Sequence, residues 1–169
     1  MTGKSPAEAV NNFLLPLQRV INCITDSVLD VSGGYYATTS EKPHLLVLSD
    51  GNPVRLTAPA GVTLLARLHY VLLHDVPAHG LWQVSITGYY YSFRDLSDRE
   101  IIAYHWHPNQ RSNVTIPHLH LGPAAEVGRM DIASAHIPTG HIGLVDVVHL
   151  AITGFGVRPR RADWAKILG

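Results

Sequence analysis

Trp82-Gln83-Val84-Ser85-Ile86-Thr87-Gly88-Tyr89-Tyr90-Tyr91-Ser92-Phe93 is the stretch whose reading decides the fold. It is dense in β-branched and aromatic residues, and its apolar positions alternate, the pattern of a half-buried strand. The spacing predicts Trp82, Val84, Ile86 and Tyr90 on one face. Asp95-Leu96-Ser97-Asp98 reads as a turn that returns the chain into a second strand, Glu100 to His107. On that strand Ile101, Ala103, His105 and His107 share one face, while Ile102, Tyr104 and Trp106 share the other.

Further strands lie on either side. Val62 to His74 fits a buried strand or a helix by its apolar content, and the strand signals around it favour a strand. Leu45-Leu46-Val47-Leu48 and Val54-Arg55-Leu56-Thr57 flank Asp50-Gly51-Asn52-Pro53, which reads as a hairpin turn. Tyr35-Tyr36-Ala37-Thr38 follows Gly33-Gly34 as a short β-prone run. Beyond a loop at 108–115, Ile116, His118 and His120 share a face of a short strand.

Both ends of the chain read as helical. Ser5 caps the first helix, Pro6 fits its first position and Glu8 completes a capping box. Val10, Phe13, Leu14, Leu17, Val20, Ile21, Ile24 and Val28 form one apolar stripe. Pro16 lies inside it, so a kink or a break is expected there. Leu144, Val147, Val148, Ala151, Ile152 and Phe155 are spaced for a core-facing helix ended by Gly154 and Gly156. Ala162 to Leu168 forms a last short one. The expected fold class is α+β: a mainly antiparallel sheet, a meander of hairpins, with an N-terminal helix and C-terminal helices packed on it.

The length of 169 residues suits a single domain, 1–169, with one sizeable core. Formal net charge is zero, so generic attraction to nucleic acid or anionic membrane is not expected from the whole-molecule field. One cysteine, Cys23, excludes an internal disulfide framework and favours a reducing compartment. Its place in an apolar helical pattern marks it as buried filler. No run reaches the roughly 18 apolar residues that span a bilayer. The expectation is a cytoplasmic protein with no membrane partner.

Chemistry concentrates in the histidines, of which there are eleven. Tyr104-His105-Trp106-His107-Pro108 is followed by Pro117-His118-Leu119-His120-Leu121, two His-x-His pairs separated by one loop. Residues at i and i+2 of a strand share a face, so each pair sets two imidazoles side by side. If the strands are neighbours, about 4.8 Å apart, all four converge. Imidazoles at about 2.0–2.1 Å suit a zinc-like transition metal, and an all-histidine set argues against magnesium or calcium. Used without a metal, two imidazoles with split pKa values act as base and acid, as in cleavage of RNA through its own 2′-hydroxyl. In that case Arg111 contacts phosphate by a bidentate fork, and Asn109 and Tyr104 complete the substrate contacts. His136 and His141 flank the turn Pro138-Thr139-Gly140, and their approach to the site is left open by spacing.

Two further groups carry the bland reading. Asp146 and His149 are i,i+3 neighbours on an exposed helix face. Arg158, Arg160, Arg161 and Lys166 form the one basic cluster, read as a solvated rim.

The run from Tyr89-Tyr90-Tyr91 through Ile101-Ile102-Ala103-Tyr104-His105 to Ile116-Pro117-His118-Leu119-His120 resembles the small bacterial TumE-type toxins. The resemblance covers roughly residues 82–152. This chain departs from that group in its length, its helix over 6–28 and its Arg-Pro-Arg-Arg tail. The resemblance implies a toxin–antitoxin or defence context, with RNA or a nucleotide as substrate and a protein antitoxin as partner. Two-histidine phosphoesterases, by contrast, carry His-x-Ser/Thr pairs, and both second positions here are histidine.

Two functions follow as expectations. The first is a toxin-like ribonuclease or phosphodiesterase that uses His105, His107, His118 and His120, with no cofactor required. The alternative is a non-catalytic or transition-metal-binding module of a regulatory or defence complex, in which the same four histidines are ligands.

Overall fold

The chain adopts an antiparallel sheet with its helices gathered at the two ends of the sequence, as a computed structural model covering residues 1–39, 42–58, 60–75, 80–108, 113–128 and 130–169 describes it. In chain order the elements are β1 (Thr2–Gly3), α1 (Pro6–Ile21), β2 (Leu29–Ser32), β3 (His44–Leu48), β4 (Val54–Arg55) and β5 (Val62–Asp75). They continue as β6 (Leu81–Asp95), β7 (Glu100–Trp106), β8 (His118–Leu121), α2 (Met130–Ala133), β9 (Ile137–Pro138), α3 (Leu144–Thr153) and α4 (Trp164–Leu168). The sheet order is β2-β3-β5-β6-β7-β8-β9, with β1 added to β6 and β4 to β5. This is an α+β fold dominated by its sheet.

Helix α1 begins as its capping residues require. Ser5 Oγ accepts the Glu8 amide at 3.2 Å, and the Glu8 carboxylate accepts the Lys4 amide at 2.8 Å. The element runs through Pro16 as one helix and ends at Ile21. Ile24 is buried beyond that end, and Val28 is exposed, so the apolar stripe outlasts the helix that it suggests. Phe13, Val20 and Ile21 of α1 pack with Leu144, Val147 and Val148 of α3 against one face of the sheet.

The long central hairpin supplies the rest of that core. On β5, Leu64, Ala66, Leu68, Tyr70 and Leu72 keep a strict period of two and are all buried. Val62 to His74 is thus a strand. Its partner β6 does not keep step. His69 pairs with Gly88 and Tyr70 with Ile86, leaving Thr87 as an extra residue, a β-bulge. Val84 faces the core before the bulge; Tyr89, Tyr91 and Phe93 face it after. Tyr90 therefore lies on the face opposite Val84, not the same one.

A second bulge corrects the face of Ile101. Phe93 pairs with Ile102 and Arg94 with Glu100, so Ile101 is the unpaired residue. Ile101 packs towards the helical core, and Glu100 continues the face that carries His105.

The expected hairpin at Asp50–Pro53 is also overturned. Ser49, Asp50 and Gly51 have φ of 50°, 54° and 81°, a run of left-handed backbone that displaces the chain sideways. As a result β3 and β4 do not pair with each other. Each pairs with β5, at Arg67–Tyr70 and Thr63–Leu64 respectively. Tyr35 to Thr38 forms bends and irregular backbone, with Tyr35 and Tyr36 exposed. Ile116 precedes β8 and is exposed, so only His118 and His120 of that trio stand on the strand. No helix among the described residues is long and apolar enough to cross a membrane.

Candidate metal centre

Strand pairing assembles the histidines. His105 on β7 lies directly across from His118 on β8, and Ala103 lies across from His120. Residues opposite one another share a face, so His105, His118 and His120 stand together on the side of the sheet away from α1 and α3. One ring nitrogen from each falls within 4.8 Å of the others. In a tetrahedral zinc site, nitrogens at 2.0–2.1 Å stand about 3.3 Å apart, so small side-chain rotations close the remaining gap.

His118 is the best-defined member. It is 1% exposed, and its Nδ1 lies 2.8 Å from the carbonyl oxygen of Ile116. A carbonyl only accepts, so Nδ1 carries the hydrogen and the lone pair of the neutral ring sits on Nε2. A backbone carbonyl that fixes the non-ligating nitrogen is the usual support of a metal-bound histidine. That Nε2 is buried without a hydrogen-bond partner, and so is Nε2 of His105. Each such atom costs roughly 1–3 kcal/mol when unpaired. Two in one triad are what an ion would satisfy.

Electrostatics favour the same reading. Burial, together with the charges that His120, His118, His107 and His136 would carry, pushes His105 down to about 3. Burial and then His136 push His120 down as well, with Glu100 opposing the shift. At neutral pH His105 and His120 are unprotonated, the form a ligand needs.

Two more imidazoles border the triad. His107, just past β7, has its ring centroid 5.6 Å from that of His118, and its Nδ1 is also buried without a partner. His136 stands 4.3 Å from His120, centroid to centroid. It precedes β9, where Pro138 pairs with His118, which sets residue 136 opposite His120. Spacing within the sequence could not give that register; only the β8–β9 pairing does.

Glu100 and Tyr90 are the other residues that sequence patterning missed here. Tyr90 sits across from His105, its ring edge-on at 4.7 Å. Its hydroxyl donates to Glu100 Oε2 at 2.7 Å, and Ser92 Oγ donates to the same oxygen at 2.9 Å. Arg94 Nη2 donates to the Tyr90 hydroxyl at 3.3 Å. A signal for the first bulge was present in Gly88, because a glycine inside a strand marks a bulge or a close backbone approach. An added Cβ there would lie 2.8 Å from the Trp106 carbonyl oxygen.

Other expected contacts lie elsewhere. Tyr104 points to the opposite face, against the helical core, where burial pushes its hydroxyl pKa up. Asn109 and Arg111 fall outside the described residues. His141 packs edge-on against Trp106 at 4.3 Å, away from the triad. Asp146 accepts the Gly143 amide at the start of α3. Arg160 and Arg161 pair with Asp26 and Asp163 at the surface.

No protein-family model matches this chain, and neither a curated protein nor a solved structure matches it significantly. The chemistry of the site therefore rests on its own residues. Three imidazoles in a half-buried patch are a donor set that would suit a borderline-soft divalent ion.

Proposed function

We propose that His105, His118 and His120 bind a zinc-like transition metal, and that the protein uses this centre to hydrolyse a phosphodiester, in RNA or a nucleotide. The observation that carries the metal is the convergence of one ring nitrogen from each of three histidines within 4.8 Å, beside the buried Nε2 atoms of His105 and His118, which have no hydrogen-bond partner. Three protein ligands with an open position are the arrangement of hydrolytic rather than structural zinc. The ion supplies a polarised water and a Lewis acid for the phosphoryl oxygen. The substrate class comes from the resemblance of residues 82–152 to TumE-type toxins, which also brings a protein antitoxin as the partner.

Acid–base cleavage by the histidines alone is the weaker reading. With His105 held near 3, that ring carries no proton to donate at neutral pH and is a feeble base. His107 and His136 border the centre and are not assigned as ligands.

Metal analysis decides the matter first. Protein purified without chelator and dialysed should retain close to one equivalent of zinc, cobalt, nickel or iron, and His118→Ala should retain none. The zinc-loaded protein should cleave an RNA oligonucleotide or bis(p-nitrophenyl) phosphate. A wild-type protein that takes up no transition metal would sink the proposal. Metal retained without cleavage would leave a non-catalytic metal-binding module.

A further inference from the structure

The carboxylate of Glu100 is brought to the histidine face by two backbone devices. The bulge at Ile101 turns residue 100 to that face, out of step with Ile102. Gly122 then lets the chain close over it. The Gly122 amide donates to the Ile101 carbonyl at 2.9 Å, and an added Cβ at 122 would lie 2.1 Å from the Glu100 carbonyl oxygen and 2.7 Å from its Cβ. Gly122 is two residues beyond His120 on the same chain direction, so Glu100 flanks His120 along the sheet. Ala103, the next residue of β7 on that face, is opposite both Ser92 and His120.

The side chain is also fixed in direction. Tyr90 and Ser92 both donate to Oε2, and Arg94 donates to Tyr90 and Ser92 and pairs with Asp98. Ser92 is fully buried, so its hydroxyl is a rigid anchor. Two hydroxyls thus fix the direction of a carboxylate that stands at the margin of the imidazole triad.

We propose that Glu100 is the general base of the site, taking a proton from the water that attacks phosphorus and returning it to the leaving oxygen. The proposal rests on the metal-centre reading above. In the step, a water O–H bond breaks and its proton passes to the Glu100 carboxylate as the water oxygen bonds to phosphorus. The bond from phosphorus to the leaving oxygen breaks with its electron pair, and that oxygen takes the proton back from Glu100. No oxidant or co-reactant is involved.

The test uses the full-length, zinc-loaded protein with bis(p-nitrophenyl) phosphate and an RNA oligonucleotide as probes. Glu100→Gln keeps an oxygen for Tyr90 and Ser92, so it should fold and hold zinc with unchanged stoichiometry. Its kcat should fall by about 100-fold or more with KM unchanged, the range general-base removal produces. Formate should restore turnover to Glu100→Ala saturably, which a structural role would not allow. A Glu100→Gln protein within threefold of wild type overturns the assignment while leaving the metal centre intact. Loss of zinc in that variant overturns it too, by making Glu100 a ligand. Zinc-loaded wild type that cleaves neither probe rejects the base role and the hydrolysis together, and a wild type that binds no zinc rejects the centre itself.

Discussion

His105 and His118 face each other across the β7–β8 ladder with their rings nearly parallel, at an interplanar angle of 27° and 5.5 Å between centroids. Each presents a buried Nε2 with no hydrogen-bond partner. Two stacked imidazoles do not satisfy one another's ring nitrogens. The pair is therefore stable only to the extent that the rest of the fold compensates, and the proposed ion would remove the deficit.

Metal binding should consequently stabilise the fold. A ligand that binds only the native state at about 100 times its dissociation constant adds about 2.7 kcal/mol. Thermal unfolding in excess zinc should shift upwards by several degrees for the wild type. His118→Ala should lose that shift. His107→Ala should keep most of it, since His107 lies outside the triad. Differential scanning fluorimetry across a zinc titration reads both, and an equal zinc shift in His118→Ala and wild type would contradict the ligand assignment.

The same triad predicts an acid-labile apo form. His105 falls to about 3 in the fold, below its ordinary 6.5. The unfolded chain then binds the proton more readily than the native one, so stability falls as pH falls. The contribution is fully present above about pH 6.5 and is lost progressively from there towards pH 3. Urea unfolding of chelated protein at pH 7.5, 6.0 and 5.0 should show midpoints that decline in that order. His105→Gln should flatten the decline, and an unaltered slope in that variant would show that other groups control it.

The histidine pairs were legible because they depend on the simplest property of a strand, its period of two. His105 and His118 needed only that β7 and β8 be neighbours. His136 and Glu100 were not legible, because each depends on register. His136 reaches the site through the pairing of Pro138 with His118, and Glu100 through the extra residue at Ile101. Period-two reading also misassigned Tyr90, since one unpaired threonine reverses every face beyond it. The supposed hairpin at Asp50 failed differently. Three consecutive left-handed residues carried the chain along β5, and only Gly51 among them signals such backbone by its type.

Gly122 should tolerate no side chain. Its φ is ordinary for an extended chain, so the demand comes from space: a Cβ would stand 2.1 Å from the Glu100 carbonyl oxygen, a backbone atom that cannot swing aside. Gly122→Ala should destabilise by about 2 kcal/mol, in the range of overpacked sites. The urea midpoint checks this. A change under about 0.5 kcal/mol would mean that β7 and β8 separate easily, and that Glu100 is not pinned as described.

The bulge at Thr87 offers the sharpest test of the fold itself. It lets Val84 and Tyr89 face the same core although they are an odd number of residues apart. Deleting Thr87 removes the extra residue itself. Gly88 then follows Ile86 directly, Val84 and Tyr89 stand four positions apart, and both keep their partners Leu72 and Leu68 on the core face. Chemical denaturation of the deletion variant should therefore show a midpoint close to that of wild type, with zinc binding retained, because every β5–β6 pair and the triad on β7 and β8 keep their places. A destabilisation of several kcal/mol would mean that the sheet needs the bulge itself and not only the face that it sets.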